Sequence, residues 1–346
     1  MKRMFYLAML MLMAIPGSGQ SPPAEPQNTL PDITSTSTLV IVPTLVRSPA
    51  GQLVTNLVAT DFRLTDNGVE QRVSLEEIQH QPLSVVVLLQ TGGAGPRQFQ
   101  NYRDLGTMLD YMMGSSKHQV AVVTFDSQPE EMWNFTDNVE KLKDAFTNPG
   151  HGDGSAAIVD AVSYGIDLLK QQPASARRIL LLFSQSQDDG SRARAEDVVR
   201  RLGESNTIIY SITFSPEKTW LKDQFTKPRH ENAPYQFSPN MAPLLHTFDL
   251  GTPLGVALKA MRKDTAAEVA ELSGGEHVRF NDKRDLERQL AILANHIPNR
   301  YILSFRPSAN VPGFHAIKVE VVHHPKMTLD VTARTSYWVA GAVPRS

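Results

Sequence analysis

Residues 83–89 read LSVVVLL, a run of leucine and valine with a single serine. Runs of the same kind recur at 119–125, 179–183 and 207–214. Between the runs, helical stretches are expected at 98–113, 156–170 and 193–204. Buried apolar strands that alternate with helices predict an α/β fold with a doubly wound, mostly parallel sheet. Ligand sites of such sheets lie beyond the carboxyl ends of the strands, so the loops after Leu89, Phe125 and Phe183 are the candidate site loops.

The sequence changes character on both sides of this region. Residues 38–80 contain short apolar runs and the two-residue turn signal Asn67-Gly68, which together predict a small N-terminal antiparallel β unit. Strands are also expected at 301–305, 316–322 and 329–333. The C-terminal segment 297–339 is therefore predicted to pack with the N-terminal unit as a β-rich accessory domain.

The predicted α/β domain spans 81–296. Its last part returns to helix at 265–272 and 282–296. Before those helices, residues 215–262 are rich in proline and aromatic side chains and show little periodicity. We expect an irregular insertion there, because a segment of this length without its own core is either a functional surface loop or partly disordered.

The N-terminus has the order of a secretory signal peptide. A positive start, Met1-Lys2-Arg3, precedes an apolar run at 4–15 and then small residues, so we expect cleavage after Gly19. The alternative, a transmembrane anchor, would need roughly 20 apolar residues. Residues 1–19 are thus predicted to be removed, and 20–37 to be a disordered leader. The mature protein is expected to be exported, periplasmic or secreted, without a membrane anchor.

The composition excludes several classes of function. The sequence contains no cysteine, which removes disulfide scaffolds, thiolate metal sites, cysteine nucleophiles and lipidated cysteine. Its 34 basic and 36 acidic residues leave a net charge of −2. That balance argues against nucleic acid as a partner, because nucleic-acid binding depends on neutralising phosphates.

Several short motifs follow one another in a characteristic order. They are DFRLTDNG at 61–68, PLSV at 82–85, NRYILSFRP at 299–307, GFHAIKV at 313–319 and a final Tyr337-Trp338. In their order and spacing, residues 38–339 resemble the von Willebrand factor type A related proteins of acidobacterial type. The resemblance implies a Rossmann-like sheet and, in working members, a divalent cation held by three loops at the top of that sheet.

The positions that would hold this cation are changed here. The resemblance places an Asp-x-Ser-x-Ser motif after the first strand, a Thr in the second loop and an Asp after the fourth strand. The corresponding residues in this sequence are Gln90, Gly92, Ala94, Ala156 (or Ser155, with a shift of one residue) and Gln185. An amide keeps the shape of a carboxylate but lacks the charge that offsets desolvation of a dication. We therefore expect a degenerate metal site, no bound Mg²⁺ or Ca²⁺, and no cofactor.

These expectations favour an exported, non-enzymatic, adhesion-like module that binds an unknown protein in the envelope or outside the cell. The second hypothesis is a metal-dependent adhesion domain with an unusual neutral ligand set. The third is nucleotide or phosphate binding by the glycine-rich loop 92–95, with Asp126 as a ribose-binding acid. Three acids in nearby loops could give a secondary cation site or polar contacts: Asp153, Asp188 and Asp189. Asp160 is expected to cap or line the site. The sequence shows no catalytic motif, so an enzyme is not predicted.

Overall fold

The computed structural model describes residues 39–76, 81–114, 116–214, 253–308, 311–322 and 328–341. All of them belong to one compact unit, Ser37–Ser346. The predicted signal peptide, the predicted leader and residues 215–252 of the predicted insertion lie outside the described residues.

The described strands, in chain order, are β1 (Val40–Arg47), β2 (Phe62–Asp66), β3 (Val69–Gln71), β4 (Ser74–Glu76), β5 (Leu83–Gln90), β6 (His118–Phe125), β7 (Pro129–Thr136), β8 (Arg177–Ser184), β9 (Thr207–Phe214), β10 (His277–Phe280), β11 (Tyr301–Phe305), β12 (Gly313–Val321), β13 (Asp330–Ala333) and β14 (Ser336–Val339). The described α-helices are α1 (Phe99–Tyr102), α2 (Leu105–Met113), α3 (Lys143–Thr147), α4 (Ile158–Lys170), α5 (Ala195–Ser205), α6 (Pro253–Lys263), α7 (Thr265–Ser273) and α8 (Lys283–His296). Short 3₁₀ turns lie at Ala59–Asp61, Gly95–Gln98 and Val139–Leu142.

The central sheet has six strands in the order β10-β9-β8-β5-β6-β7. All neighbours are parallel except β7, which pairs antiparallel with β6 through two register shifts. Strand β5 is buried on both faces: Val85 and Val87 lie in a core cluster with α2 and α8, and Val86 and Leu88 lie in one with α4 and α5. Helices therefore cover both sides of the sheet, and the predicted doubly wound α/β fold is confirmed.

The remaining strands form two four-stranded sheets, β13-β1-β11-β4 and β14-β12-β2-β3. Strands from the two ends of the described chain pair directly, β1 with β11 and β2 with β12, both antiparallel. Apolar side chains from both sheets, among them Val42, Leu64 and Leu303, form a third core cluster. Asn67 and Gly68 both have positive φ, 48° and 83°, and connect β2 to β3 as the Asn-Gly signal predicts.

Buried side chains join the accessory strands to the α/β part. Arg334, between β13 and β14, donates to the carbonyls of Leu202 and Gly203 at the end of α5. Arg300, just before β11, donates to Glu276, just before β10, at 2.6 Å. These contacts fix the accessory strands against one end of the central sheet.

Some elements differ from the predictions. The single helix expected at 98–113 is divided into the 3₁₀ turn Gly95–Gln98, α1 and α2. The insertion expected to be irregular at 215–262 contains α6 in its last part. Strand β7 was not predicted because Glu130, Glu131 and Asn134 interrupt its apolar residues, a pattern that an edge strand tolerates. No helix in the described ranges has the length and hydrophobicity to cross a membrane.

Candidate functional site

Three loops meet at the carboxyl end of the central sheet, as the topology requires. The first loop follows β5, the second is the segment that leads into α4, and the third follows β8. Gln90 is the last residue of β5 and is fully buried, and Gln185 follows β8, the neighbouring strand. The structure therefore brings together the two residues that stand at the predicted anionic positions.

The two glutamine side chains form a closed hydrogen-bonded pair. The Gln185 backbone N–H donates to Gln90 Oε1 at 2.8 Å, and Gln90 Nε2 donates to Gln185 Oε1 at 3.2 Å. Gln90 Nε2 also donates to the Gly92 carbonyl at 3.0 Å, and Gln185 Nε2 donates to the Gln187 carbonyl at 2.9 Å. Rotating the Gln90 amide by 180° would set its NH₂ against the Gln185 N–H, so the hydrogen bonds fix its orientation.

The glycine-rich loop packs against the second loop. A Cβ on Gly92 would lie 2.0 Å from the Ser155 carbonyl oxygen and 2.7 Å from Asp126 Cβ, so no side chain fits there. The Gly93 N–H donates to the Asp153 carbonyl, and the Gly95 N–H donates to the Gly92 carbonyl. These backbone donors are engaged within the protein, and the loop does not form an open phosphate cradle. Ala94 is half-buried against the core cluster of the α2 face.

The second loop is held by its backbone. Ala156 and Asp189 exchange two N–H to carbonyl hydrogen bonds of 2.9 Å, and Ala156 is buried. Ser155 lies one residue earlier and is half-buried. Its N–H donates to Asp153 Oδ1 at 2.8 Å. The side chain of Asp189 is exposed, so this residue joins the site through its backbone.

The buried side chain of Asp126, predicted from the sequence only as a ribose-binding acid, connects neighbouring segments of this face. Asp126 follows β6 and is 4 % exposed. Its Oδ2 accepts the Asp153 N–H at 2.9 Å and its Oδ1 accepts the Gln128 N–H at 3.2 Å. Its backbone carbonyl also accepts the Ala157 N–H. The sequence signal that could have indicated this role is its position directly after a buried strand, beside a second candidate loop.

The pKa values of two neighbouring carboxyl groups are shifted in opposite directions. The pKa of Asp153 is lowered, first by a hydrogen bond from the Ser127 side chain and then by the Ser155 N–H. The pKa of Glu130 is raised by desolvation and by the nearby charges of Asp126 and Asp153. The face therefore concentrates negative charge on the β6 side of the sheet top.

Two further acids act as caps. Asp188 Oδ1 accepts the Val159 N–H at 2.9 Å in the first turn of α4 and also accepts the Ser191 hydroxyl. Asp160 accepts the backbone N–H groups of Arg192 and Ala193, just before α5, so it caps this loop. The structure places Asp153 beside Asp126, through the hydrogen bond of 2.9 Å from its backbone N–H. Within the described ranges no cluster of three or more His, Asp or Glu residues could hold a metal ion.

Residues 85–238 match the model of the von Willebrand factor type A domain. This region contains most of β5, the strands β6 to β9 and the three loops of the candidate site, so the site lies in the part of the chain that is similar to this domain. A search of curated proteins gives no match to the sequence.

The chain is similar to several solved structures at low sequence identity. Proximal thread matrix protein 1 from the mussel byssus is 10 % identical with a TM-score of 0.41, covering 63 % of this chain and 49 % of that one. An aerotolerance-related membrane protein from Bacteroides fragilis is 13 % identical with a TM-score of 0.38, covering 62 % and 98 %. The conserved hypothetical protein BatB from Bacteroides thetaiotaomicron is 12 % identical with a TM-score of 0.38, covering 62 % and 99 %. The chain spans about half the length of the mussel protein.

Proposed function

We propose that the protein is an exported, non-enzymatic interaction module whose sheet-top face binds a protein partner without a resident metal ion. The observation that carries the proposal is the hydrogen-bonded pair of Gln90 and Gln185, because these residues occupy the two positions where a metal-binding member would place carboxylates.

The side chains present do not fit a divalent cation. Mg²⁺ and Ca²⁺ require an oxygen shell with enough negative charge to offset dehydration. Gln90 and Gln185 contribute no charge, and each amide oxygen already accepts an N–H. Each oxygen therefore has only one lone pair left for an ion. The NH₂ group of Gln90 would also repel the ion.

The packing of the glycine-rich loop supports the same conclusion. A metal-binding loop of the resembled type has a serine hydroxyl at the position of Gly92. The Ser155 carbonyl occupies the space that a side chain on Gly92 would need. Recovering the hydroxyl ligand would therefore require the two loops to move apart, beyond the exchange of one side chain.

Three acids of this face accept structural hydrogen bonds, which supports a binding role over a catalytic one. Asp126, Asp160 and Asp188 each accept backbone N–H groups from a neighbouring loop or helix start. A general acid or base must exchange a proton with a substrate. Export is supported by the signal-peptide pattern of residues 1–19 and fits a chain without cysteine.

The proposal is tested by calorimetric titration of the mature chain with Mg²⁺ and with Mn²⁺, beside Gln90→Ala and the exposed control Gln100→Ala. We expect no saturable binding to any of the three proteins. Micromolar binding to the unmodified chain that Gln90→Ala abolishes and Gln100→Ala preserves would establish the alternative, a metal-dependent adhesion domain with neutral ligands.

The partner is sought by affinity capture from the envelope fraction of the source organism, in parallel with excess Mg²⁺ and with EDTA. We expect the same protein to be retained under both conditions. Loss of the partner in EDTA would contradict metal-independent binding. A second bait that lacks residues 215–252 would show whether this segment contributes to the contact.

A further inference from the structure

Strand β7 forms one edge of the central sheet. It pairs with β6 on one side, and no described strand pairs with its other side. An edge strand exposes a row of backbone N–H and C=O groups that can pair with another extended chain. One strand, β6, lies between this edge and β5, the strand that ends at Gln90.

The edge carries exposed negative charge at both ends. Glu130 and Glu131 lie at its start, and Asp137 and Glu140 follow its end. No described ion pair includes any of these four acids, and Glu130 shares a hydrogen bond with Asp126. Charges on an edge normally prevent strands of the same protein from pairing. Because these charges share one sign, they repel a second copy of this edge and attract a basic segment.

Two clefts lie where β7 ends. The first has a volume of about 470 Å³ and is lined by Gly106, Thr107 and the segment 137–140, with Asp110 on its α2 side. Its lining contains three carboxylates and no basic side chain. The second has a volume of about 300 Å³ and is lined by residues 133–136 with Lys141 and Leu142.

The two clefts differ in chemistry and are neighbours along the chain. The second is lined by Trp133 and Phe135, whose half-buried side chains also pack against two different core clusters, while the first is anionic. In strand addition, backbone hydrogen bonds supply affinity, and recesses beside the strand select the incoming side chains. An incoming strand could place an apolar side chain beside Trp133 and a guanidinium or ammonium group between Asp110 and Asp137.

We propose that the free edge of β7 binds an extended, basic segment of a partner protein, which adds to the central sheet as a seventh strand. A lysine or arginine of that segment occupies the cleft lined by Asp110, Asp137 and Glu140. Glu130, at the start of β7, neighbours Asp126 and Asp153 of the sheet-top face, whereas the cleft lined by Asp110, Asp137 and Glu140 lies at the other end of β7.

The test uses the mature chain and a fluorescein-labelled octapeptide of alternating valine and threonine with arginine at both ends. Two further peptides isolate the two components of recognition. One has glutamate in place of both arginines, and the other keeps the arginines but is N-methylated at every residue between them, so that neither of its edges can donate backbone hydrogen bonds to an edge strand. Binding is measured by fluorescence anisotropy at low salt, where exposed charges are least screened.

We expect saturable binding of the arginine peptide and loss of binding with either altered peptide. The double variant Asp137→Asn, Glu140→Gln should bind the arginine peptide about fivefold more weakly. A matched variant with the same change in net charge, Glu70→Gln with Glu204→Gln, should bind it unchanged, because both residues are exposed elsewhere. Hydrogen exchange of the β7 amides should slow when the peptide binds.

Three results would overturn the proposal. They are no binding of the arginine peptide, equal binding of the N-methylated peptide, and equal weakening by the matched charge variant. Because the measurement contains neither a metal ion nor the sheet-top partner, its failure would leave the proposed function of the amide pair unaffected.

Discussion

The Gln185 N–H donates to Gln90 Oε1 at 2.8 Å, and the Gln90 NH₂ returns a hydrogen bond to Gln185 Oε1 at 3.2 Å. The ends of β5 and β8 are thus joined by two neutral side chains. In a metal-binding arrangement of the same fold, two carboxylates at these positions would repel one another until an ion bound between them. Here neutral side chains and backbone groups join the ends of the two strands by hydrogen bonds.

Replacing this buried amide by the isosteric acid should destabilise the fold in a pH-dependent way. In Gln90→Glu, a buried carboxylate faces the Gln185 amide oxygen, and we expect a loss of about 2 kcal/mol in the free energy of unfolding at pH 7. Burial raises the pKa of such a group, so the deficit should shrink as the pH falls and the acid is protonated. Urea denaturation at several pH values measures this loss in the free energy of unfolding. If Gln90→Glu matched the exposed control Gln100→Glu at pH 7, the amide pair would not be a stabilising element.

The contact between the first two loops predicts that substitution of Gly92 and of Gly154 by alanine has different effects on stability. A Cβ at Gly92 would lie 2.0 Å from the Ser155 carbonyl, whereas a Cβ at Gly154 meets no atom within 4 Å. Gly92→Ala should cost about 1–3 kcal/mol as the loops are pushed apart. Gly154→Ala should be neutral or slightly stabilising. Thermal unfolding of both variants decides the point, and equal melting temperatures would show that the loops are not packed as described.

The buried ion pair of Glu276 and Arg300 predicts that the protein loses stability in acid. Burial alone would raise the pKa of Glu276, but Arg300 and His296 lower it from 4.5 to about 2. A lowered folded-state pKa contributes stability that is present above about pH 4.5 and is lost as the pH falls toward 2. We expect about 3 kcal/mol from this group over that interval.

The variant Glu276→Gln should remove this acid-dependent component and destabilise the protein at pH 7, because Arg300 would be left buried without a counter-charge. Unfolding curves from pH 2 to 7 measure both effects. Glu287→Gln, a change at a half-buried position on α8 that faces Lys283 at 3.9 Å, serves as the control and should retain the unmodified pH profile. A Glu276→Gln profile as steep as that of the unmodified chain would refute the assignment.

Arg334 donates to backbone carbonyls at the end of α5, and we expect that lysine cannot replace it. Arg334 is 3 % exposed and donates to the carbonyls of Leu202 and Gly203 and to Asn206 Oδ1. An ammonium group has three donors and no planar fork, so Arg334→Lys leaves some of these acceptors unpaired. We expect a loss of about 3 kcal/mol. Arg200→Lys, exposed on the same helix, should change stability by less than about 0.5 kcal/mol. A small effect at Arg334 would mean that water replaces the guanidinium.

The part of this structure that follows from the sequence is the part encoded by local pattern. The apolar run at 83–89 identifies β5 because both of its faces are buried, and Asn67-Gly68 identifies the β2 to β3 turn through its backbone conformation. The position of Gln90 at the end of that run also places it at the sheet top. Each inference needs only neighbouring residues.

Other features depend on partners that are distant in the sequence. Glu276 is buried because Arg300 and His296 meet it, and Arg334 is buried because α5 ends with free carbonyls beside it. Such long-range pairs leave no periodic signal. Strand β7 was missed for a related reason: its exposed acids make the sequence similar to that of a loop, and only its pairing with β6 defines it as a strand.

The pairing of β1 with β11 and of β2 with β12 has a consequence for biosynthesis. More than 200 residues separate the paired strands, so the first strands to leave the ribosome or an export channel must wait for the last ones. Contacts of such high sequence separation are formed slowly. The α/β domain can collapse around β5 and β6 while the chain is still being delivered. The two accessory sheets can form only after β11 and β12 have been delivered. Pairing of these strands is therefore the step that completes folding.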